Sequence, residues 1–123
     1  MNQRNTLLAA SLSGFLGVAL GAFGAHGLES FLAANGRTET FEIAVRYQFI
    51  HALALLGAGL LMEKYPSMKT AALMFMIGII IFSGSLYVLA LANKPILGAL
   101  TPFGGLALLG GWLWMGWGVF RGN

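Results

Sequence analysis

Tyr47 and His51 are the two side chains whose types and spacing most directly suggest chemistry. They are four residues apart, which places them one turn apart on the same face of a helix. If that helix enters a membrane at Glu42, His51 lies about 13 Å inside it. A histidine at that depth is costly to charge, so we expect it to be neutral or paired. Two interpretations stay open: a hydrogen-bonded residue that fixes helix register, or a proton relay or ligand contact.

Hydroxyl groups recur in two later segments of the chain. Ser83 and Tyr87 lie one turn apart on one helix face, with Ser85 between them in the sequence. A serine in a helix usually bonds to the backbone of its own helix. Thr101 precedes a proline, which is typical of a helix N-cap. The alternative is a broken helix that starts at Leu97, with freed backbone groups that line a cavity.

Charged and metal-ligating side chains are sparse. Glu42 and Arg46 are four residues apart, so they are expected to pair at a membrane boundary, although an anion-binding arginine is an alternative. His26 follows a glycine-rich apolar segment and lies on the side of the membrane where the second span begins. Two histidines and scattered acids lack the close spacing of a metal site, so we expect no metal and no cofactor. The chain has no cysteine, which excludes thiolate chemistry.

The composition indicates what must position these side chains. Of 123 residues, 58% are hydrophobic and only 9% are charged, whereas a soluble domain carries about a quarter charged residues. The formal net charge of +3 is spread over short loops, which is not the footprint of a nucleic-acid-binding protein. The solvent that suits this composition is a lipid bilayer.

The uncharged segments predict four membrane spans, because a helix needs about 20 apolar residues to cross the hydrocarbon core. The second span reaches that length only if Arg46 is included at the membrane edge, where its guanidinium can reach the head groups. The first span is too long for a cleaved signal peptide. We therefore expect an all-α membrane protein, an antiparallel bundle with short loops and a single transmembrane domain over 1–123, with spans at about 6–27, 42–62, 69–92 and 99–120.

Lysine and arginine near the span ends set the orientation of a membrane protein. Four of these residues fall on the side of the termini, and three fall on the other side, one of them inside a span. The slight bias predicts that both termini are cytoplasmic. The residues on the side of the termini are Arg4, Lys64, Lys69 and Arg121, and those on the other side are Arg37, Arg46 and Lys94.

Small residues at helical spacing predict where the spans pack. Membrane helices associate through close backbone contact, which glycine permits. The seams can join helices within one chain or join copies, so a homo-oligomer and a partner membrane protein both stay open. Three tryptophans near the end of the fourth span are expected to anchor it at the interface rather than to form a cofactor cage. The predicted packing positions are Gly14, Gly17, Gly21, Gly24, Gly104, Gly111 and Gly118, and the tryptophans are Trp112, Trp114 and Trp117.

The polar residues fall mainly in the half of the membrane opposite the termini. The other half is almost entirely Leu, Ile, Ala, Met, Gly and Trp. This distribution suggests a polar pocket that opens outward and is closed by packing toward the cytoplasm. Its expected members are His26, Arg46, Tyr47, His51, Ser83, Ser85, Tyr87 and Thr101.

Four ordered motifs resemble the bacterial inner-membrane family known as domain of unknown function 423, which has eukaryotic relatives. They are Gly-Ala-Phe-Gly-Ala-His-Gly-Leu at 21–28, Tyr47-Gln48 with His51-Ala52-Leu53, Phe-Ser-Gly-Ser-Leu-Tyr at 82–87, and Thr-Pro-Phe-Gly-Gly at 101–105. The resemblance covers nearly the whole chain and implies a four-helix protein of the bacterial plasma membrane. It implies no reaction. It also marks most of the polar set, including both histidines.

Three classes of function remain from the sequence. The first is binding or passage of a small molecule or proton through the polar pocket. The second is a structural or accessory subunit that docks on another membrane protein through its glycine faces. The third is an enzyme that acts on a lipid or quinone, for which no nucleophile, base and orienting residue are visible together. The sequence leans away from an enzyme but does not choose the ligand.

Overall fold

The computed structural model describes residues 1–123, and every regular element in it is a helix. Four helical segments are long and apolar enough to cross a membrane. The predicted all-α membrane fold with four spanning helices is therefore confirmed. The spans are Gln3–Ala25, Thr38–Leu61, Met68–Ala92 and Pro95–Arg121.

Six α-helices make up most of the chain. The first span is α1 (Gln3–Ala25), a short surface helix α2 (Glu29–Ala34) follows, and the second span is α3 (Thr38–Leu61). The third span consists of α4 (Met68–Gly78), a π-helical segment (Ile79–Ser83) and α5 (Gly84–Ala92). The fourth consists of a 3₁₀ helix (Pro95–Ala99) and α6 (Thr101–Arg121).

Local chemistry accounts for the ends of these helices. The side chain of Asn2 accepts a hydrogen bond of 2.8 Å from the backbone of Asn5, which caps α1. Asn93 and Gly122 adopt left-handed backbone conformations, with φ of 51° and 71°, and end α5 and α6 respectively. The helix of the second span begins at Thr38, so Arg46 lies two turns inside the helix.

The spans pack in chain order, each antiparallel to the next. Gly17 of α1 lies against Phe49 of α3, and Gly24 lies against Phe41, so residue numbers rise on one helix as they fall on the other. The second span packs on the third in the same antiparallel way, and α4 of the third span packs on α6 of the fourth. Alternating directions follow from the short connections.

The main hydrophobic core lies toward the side of the termini. It is rich in alanine, which lets the helix axes approach closely where no hydrophobic effect draws helices together in lipid. Phe75 and Leu55 fill its centre and are fully buried. The cluster consists of Ala9, Ala10, Ala54, Leu55, Ala58, Met62, Met68, Ala71, Ala72, Phe75 and Leu108.

Three of the four glycines predicted to line the face of α1 receive large side chains of α3. A Cβ built at Gly17 would lie 2.9 Å from the Phe49 ring, and one at Gly21 would lie 3.3 Å from Val45. Gly24 lies directly under Phe41. Gly14 differs, because nothing lies within 4 Å of a Cβ built there. Gly14 is therefore not a tight helix contact within this chain, although it is half-buried.

The glycines of α6 pack on the third span. Gly111 receives the Phe75 ring, and Gly118 lies against Ser67, whose hydroxyl donates to the backbone oxygen of Asn123. At Gly104 the neighbour is backbone, since a Cβ would lie 2.8 Å from Cα of Phe82 and 2.9 Å from C of Ile81. The fourth span thus touches the main chain of the π-helical segment. No feature of the sequence predicts this segment.

Candidate functional site

The eight residues predicted to share one outward-facing polar pocket fall in separate places. His26 is exposed at the end of α1. Arg46 lines a groove near the membrane surface, whereas Tyr47 and His51 line a cleft between other spans. The remaining four make hydrogen bonds between or within helices. Polar side chains in a low-dielectric interior bond to the nearest donor or acceptor, which here leaves no shared polar cavity.

The serine and threonine hydroxyls join the third span to its neighbours. Ser83 is buried and donates to the backbone oxygen of Ala44 over 2.8 Å. The hydroxyls of Ser85 and Thr101 lie 2.7 Å apart and share one hydrogen bond, and the hydroxyl that accepts it can donate to a backbone oxygen of its own span, that of Phe82 or of Leu97. These bonds fix the heights of the second, third and fourth spans relative to one another.

The predicted N-cap role of Thr101 is wrong. Its hydroxyl lies 2.7 Å from that of Ser85 and 3.3 Å from the backbone oxygen of Leu97, and it makes no capping bond to α6. The reason is the 3₁₀ helix of residues 95–99, which runs directly into α6 and presents a carbonyl one turn earlier. The alternative of an irregular helical start near Leu97 describes the structure better, although none of the residues lining the two main cavities belongs to that start.

A chain of two hydrogen bonds connects three spans through Gln48. The Tyr87 hydroxyl donates to the Gln48 side-chain oxygen over 2.6 Å, and the Gln48 amide donates to the backbone oxygen of Ser13 over 2.8 Å. Gln48 was not among the predicted site residues. The one sequence signal that could have identified Gln48 is that an amide deep in an apolar span needs hydrogen-bond partners.

His51 is hydrogen-bonded at both ring nitrogens. Its Nδ1 lies 2.7 Å from the backbone oxygen of Tyr47, and the indole nitrogen of Trp112 donates to its Nε2 over 3.0 Å. An indole N–H can only donate and a carbonyl can only accept, so Nδ1 carries the proton and Nε2 accepts. The imidazole is therefore neutral and bridges the second and fourth spans.

Trp112, which is expected to anchor the fourth span at the interface, also contacts residues inside the bundle. It contacts Phe75 in an edge-to-face arrangement with ring centroids 5.1 Å apart, in addition to its bond to His51. All three tryptophans are exposed, and Trp117 stacks on Phe120. Only the last two tryptophans face outward without a polar contact inside the bundle.

The second and fourth spans and the π-helical segment enclose a cleft of about 470 Å³, which we name the lateral cleft. Its outer residues are apolar and exposed, so it opens sideways toward the lipid. The hydroxyl of Tyr47 makes no hydrogen bond within the chain and is the one free polar group at its wall. The lining residues are Tyr47, Ile50, His51, Phe82, Gly105, Leu108, Leu109 and Trp112.

A second cavity of about 520 Å³, which we name the outer groove, lies between the end of α1, α2 and the start of α3. Arg46 and Glu42 both line it, yet no ion pair joins them. The predicted pairing of these two residues is therefore absent. No group of three or more His, Asp or Glu side chains is placed to hold a metal ion. The lining residues are Gly21, Gly24, Ala25, Glu29, Leu32, Thr38, Phe41, Glu42, Val45, Arg46 and Phe49.

Comparison with known proteins decides the family. The model described as "Protein of unknown function (DUF423)" matches residues 20–105. The chain belongs to this family. The resemblance drawn from the four motifs is thus confirmed, and the DUF423 match includes Arg46, Tyr47 and His51 but ends before Trp112.

The relatives of this DUF423 protein are bacterial membrane proteins of similar length. A UPF0382 membrane protein of Staphylococcus saprophyticus is 39% identical, over 94% of this chain and 96% of its own. The UPF0382 inner membrane protein YgdD of Escherichia coli K12 is 38% identical, over 98% and 93%. YwdK of Bacillus subtilis is 38% identical, over 87% and 89%. No solved structure matches the chain.

Proposed function

We propose that this DUF423 protein binds a small lipid-soluble molecule in the lateral cleft, which the molecule enters sideways from the bilayer. The observation that carries the proposal is the polar wall formed by His51, Trp112 and Tyr47 in an otherwise apolar cleft. Ligand sites are typically apolar clefts of this size with a few well-placed polar groups. A membrane protein of this kind has access to its ligand without a water-filled path.

The chemistry of the wall favours a ligand with one polar group on an apolar body. The Tyr47 hydroxyl can donate to a carbonyl or accept from a hydroxyl. His51 already has hydrogen-bond partners at both ring nitrogens, so its role is to hold Trp112 in position rather than to accept a proton. The buried residues toward the termini are mainly alanine, leucine and methionine. These features support binding rather than passage of a solute or proton across the membrane.

The first test is native mass spectrometry of the protein released from nanodiscs, which reports both the oligomeric state and any retained molecule. We expect wild type to retain a small molecule and Leu109→Trp to lose it, because an indole at that exposed position fills the cleft. Leu113→Trp is the matched control, since Leu113 lies one turn further along α6, is more exposed and does not line the cleft. Tyr47→Phe should weaken retention without changing the fold.

The competing interpretation is an accessory subunit that docks on another membrane protein. The open position of Gly14, which no side chain of the chain covers, favours it. Equal retention by wild type and Leu109→Trp, or no retained molecule in either, contradicts the binding proposal. Capture of a defined partner that is lost in Gly14→Leu then supports the accessory role.

We also propose that the protein lies in a bacterial inner membrane with both termini on the cytoplasmic side. The lysine and arginine bias toward the side of the termini supports this orientation. The chain lacks cysteine, so single-cysteine variants give a clean readout. In intact cells, a membrane-impermeant maleimide should label Asn35→Cys and leave Asn123→Cys unlabelled. The reverse pattern contradicts the orientation.

A further inference from the structure

The outer groove is distinct from the lateral cleft. Of the two cavities, only the outer groove is lined by Asp, Glu, Lys or Arg side chains. Glu29, Thr38 and Glu42 lie at its surface end, Arg46 lies one turn deeper than Glu42, and Phe49 lies at its base. The groove extends about 16 Å along α3, from Thr38 to Phe49. Its polarity changes with depth from acidic to basic to apolar.

This order matches the depth profile of one lipid class. In a leaflet, a phospholipid with an ethanolamine head group places its ammonium outermost, its phosphate below and its acyl chains deepest. We propose that the outer groove binds such a zwitterionic aminophospholipid, with its ammonium at Glu29 and Glu42 and its phosphate at Arg46. The lipid belongs to the leaflet opposite the chain termini.

The side chains that would bind the head group are available. Glu29, Glu42 and Arg46 are exposed, and no lysine or arginine nitrogen in the chain lies within 4.0 Å of a carboxylate oxygen. Glu42 and Arg46 are about 6 Å apart along the helix axis, which separates opposite charges as the two charges of the head group are separated. A guanidinium binds phosphate oxygens with two parallel hydrogen bonds.

The lower groove suits an acyl chain. Val45 and Phe49 provide an apolar surface on α3, and Gly21 and Gly24 let the α1 wall lie close against it. The glycines are held under Val45 and Phe41 by the packing of α1 on α3. The acyl chain therefore lies in a channel that exists without rearrangement of the helices.

The two carboxylates determine selectivity among lipids. With one arginine and two glutamates, the groove has a formal charge of −1, which disfavours an anionic phosphatidylglycerol. A primary ammonium donates three hydrogen bonds, whereas the quaternary ammonium of phosphatidylcholine donates none. The groove should thus prefer phosphatidylethanolamine to both.

The test is a lipid titration by native mass spectrometry, with the three lipids carrying identical acyl chains. Phosphatidylethanolamine should bind wild type most tightly, and Arg46→Gln should weaken it about tenfold, because it removes the positive charge and one of the two parallel hydrogen bonds to the phosphate. Arg46→Lys should retain part of the affinity because it keeps the positive charge. Circular dichroism of each variant reports whether the helices are intact.

A reversal of selectivity separates the proposal from a general effect on folding. The double variant Glu29→Gln/Glu42→Gln leaves a net positive groove and should prefer phosphatidylglycerol to phosphatidylethanolamine. Glu39→Gln and Lys94→Gln are matched controls on the same side of the membrane, since neither residue lines the groove. Both should bind all three lipids as wild type does.

Three outcomes overturn the proposal. The first is tighter binding of phosphatidylglycerol or phosphatidylcholine than of phosphatidylethanolamine by wild type. The second is unchanged affinity in Arg46→Gln, or an equal loss in the controls. The third is competition by water-soluble phosphoethanolamine at the same concentration, which would assign the groove to a soluble zwitterion instead of a lipid. None of these outcomes depends on ligand retention in the lateral cleft.

Discussion

The indole nitrogen of Trp112 donates a hydrogen bond of 3.0 Å to Nε2 of His51, which joins the fourth span to the second. The other ring nitrogen of His51 lies 2.7 Å from the backbone oxygen of Tyr47. A single neutral imidazole thereby donates a hydrogen bond to a carbonyl and accepts one from an indole. The two aromatic rings meet edge to face, with centroids 5.9 Å apart.

Trp112→Phe should lower the free energy of unfolding by about 0.5–1.5 kcal/mol, because it removes the donor and leaves Nε2 of His51 without a partner. Much of the ring contact with Phe75 remains. Unfolding in detergent, followed by circular dichroism, measures the change. Trp114→Phe is the control, because Trp114 makes no hydrogen bond in the bundle, and it should be near neutral. Equal effects of the two substitutions would show that the hydrogen bond contributes nothing.

Gly104→Ala should destabilise the protein by about 1–3 kcal/mol, the usual cost of overpacking a tight contact. The added methyl group meets the main chain of Phe82 and Ile81, which cannot rotate away. The fourth span must then move from the π-helical segment, which also stretches the bond between Ser85 and Thr101. Gly116→Ala lies in the same helix with nothing within 4 Å and should be tolerated. Thermal unfolding of the two variants side by side decides the matter.

Gly24→Ala should weaken the packing of α1 on α3, because its methyl group would lie 2.8 Å from Cδ1 of Phe41. Here the obstacle is a side chain, so a second substitution can relieve it. Phe41→Leu in the Gly24→Ala background should recover about 1 kcal/mol of the lost stability. Gly14→Ala should have little effect on the isolated protein. A double-mutant cycle on unfolding free energies shows whether the two sites are coupled.

Gln48→Leu should cost about 1–3 kcal/mol, since it leaves the Tyr87 hydroxyl without an acceptor in a low-dielectric interior and removes the second hydrogen bond of the Ser13 carbonyl, which also accepts within α1. Tyr87→Phe removes only one of the two bonds and should cost less. Gln3→Leu is the matched control, because Gln3 also donates from its amide to a carbonyl of the second span, that of Gly59. Gln3 lies at the end of a span, where water can replace the bond. A loss at Gln3 as large as at Gln48 contradicts the role of depth.

The four spans could be predicted from the sequence because each is a long uncharged segment, and in lipid that length leaves few alternatives to a helix. The π-helical segment could not be predicted, since Ile79 to Ile81 are three identical apolar residues and show no periodicity that distinguishes a π-helix from an α-helix. It becomes visible only where Gly104 contacts its main chain. Local composition predicted the segments but not their internal geometry.

The candidate site was predictable in type but not in arrangement. Arg46 and His51 were found from the cost of placing such groups in a membrane. Gln48 is missing from the predicted site, and Trp112 is predicted as an interface anchor rather than as a hydrogen-bond partner of His51. Whether a polar side chain faces a cavity or a neighbouring carbonyl depends on the rotation of its helix, which single-sequence patterns do not determine.

Side chains of the first, third and fourth spans all form hydrogen bonds with the second, through Gln3, Ser83 and Trp112. A ribosome delivers the spans in chain order, so Gln48 can reach the Ser13 carbonyl as soon as the second span is inserted. The acceptor on His51 has no donor until the last helix has been synthesised. The second span also has the lowest hydropathy of the four. We therefore expect the second span to reach its full stability only when the C-terminal end of the chain has been inserted, and a nascent chain cut before Trp112 to hold that span less firmly.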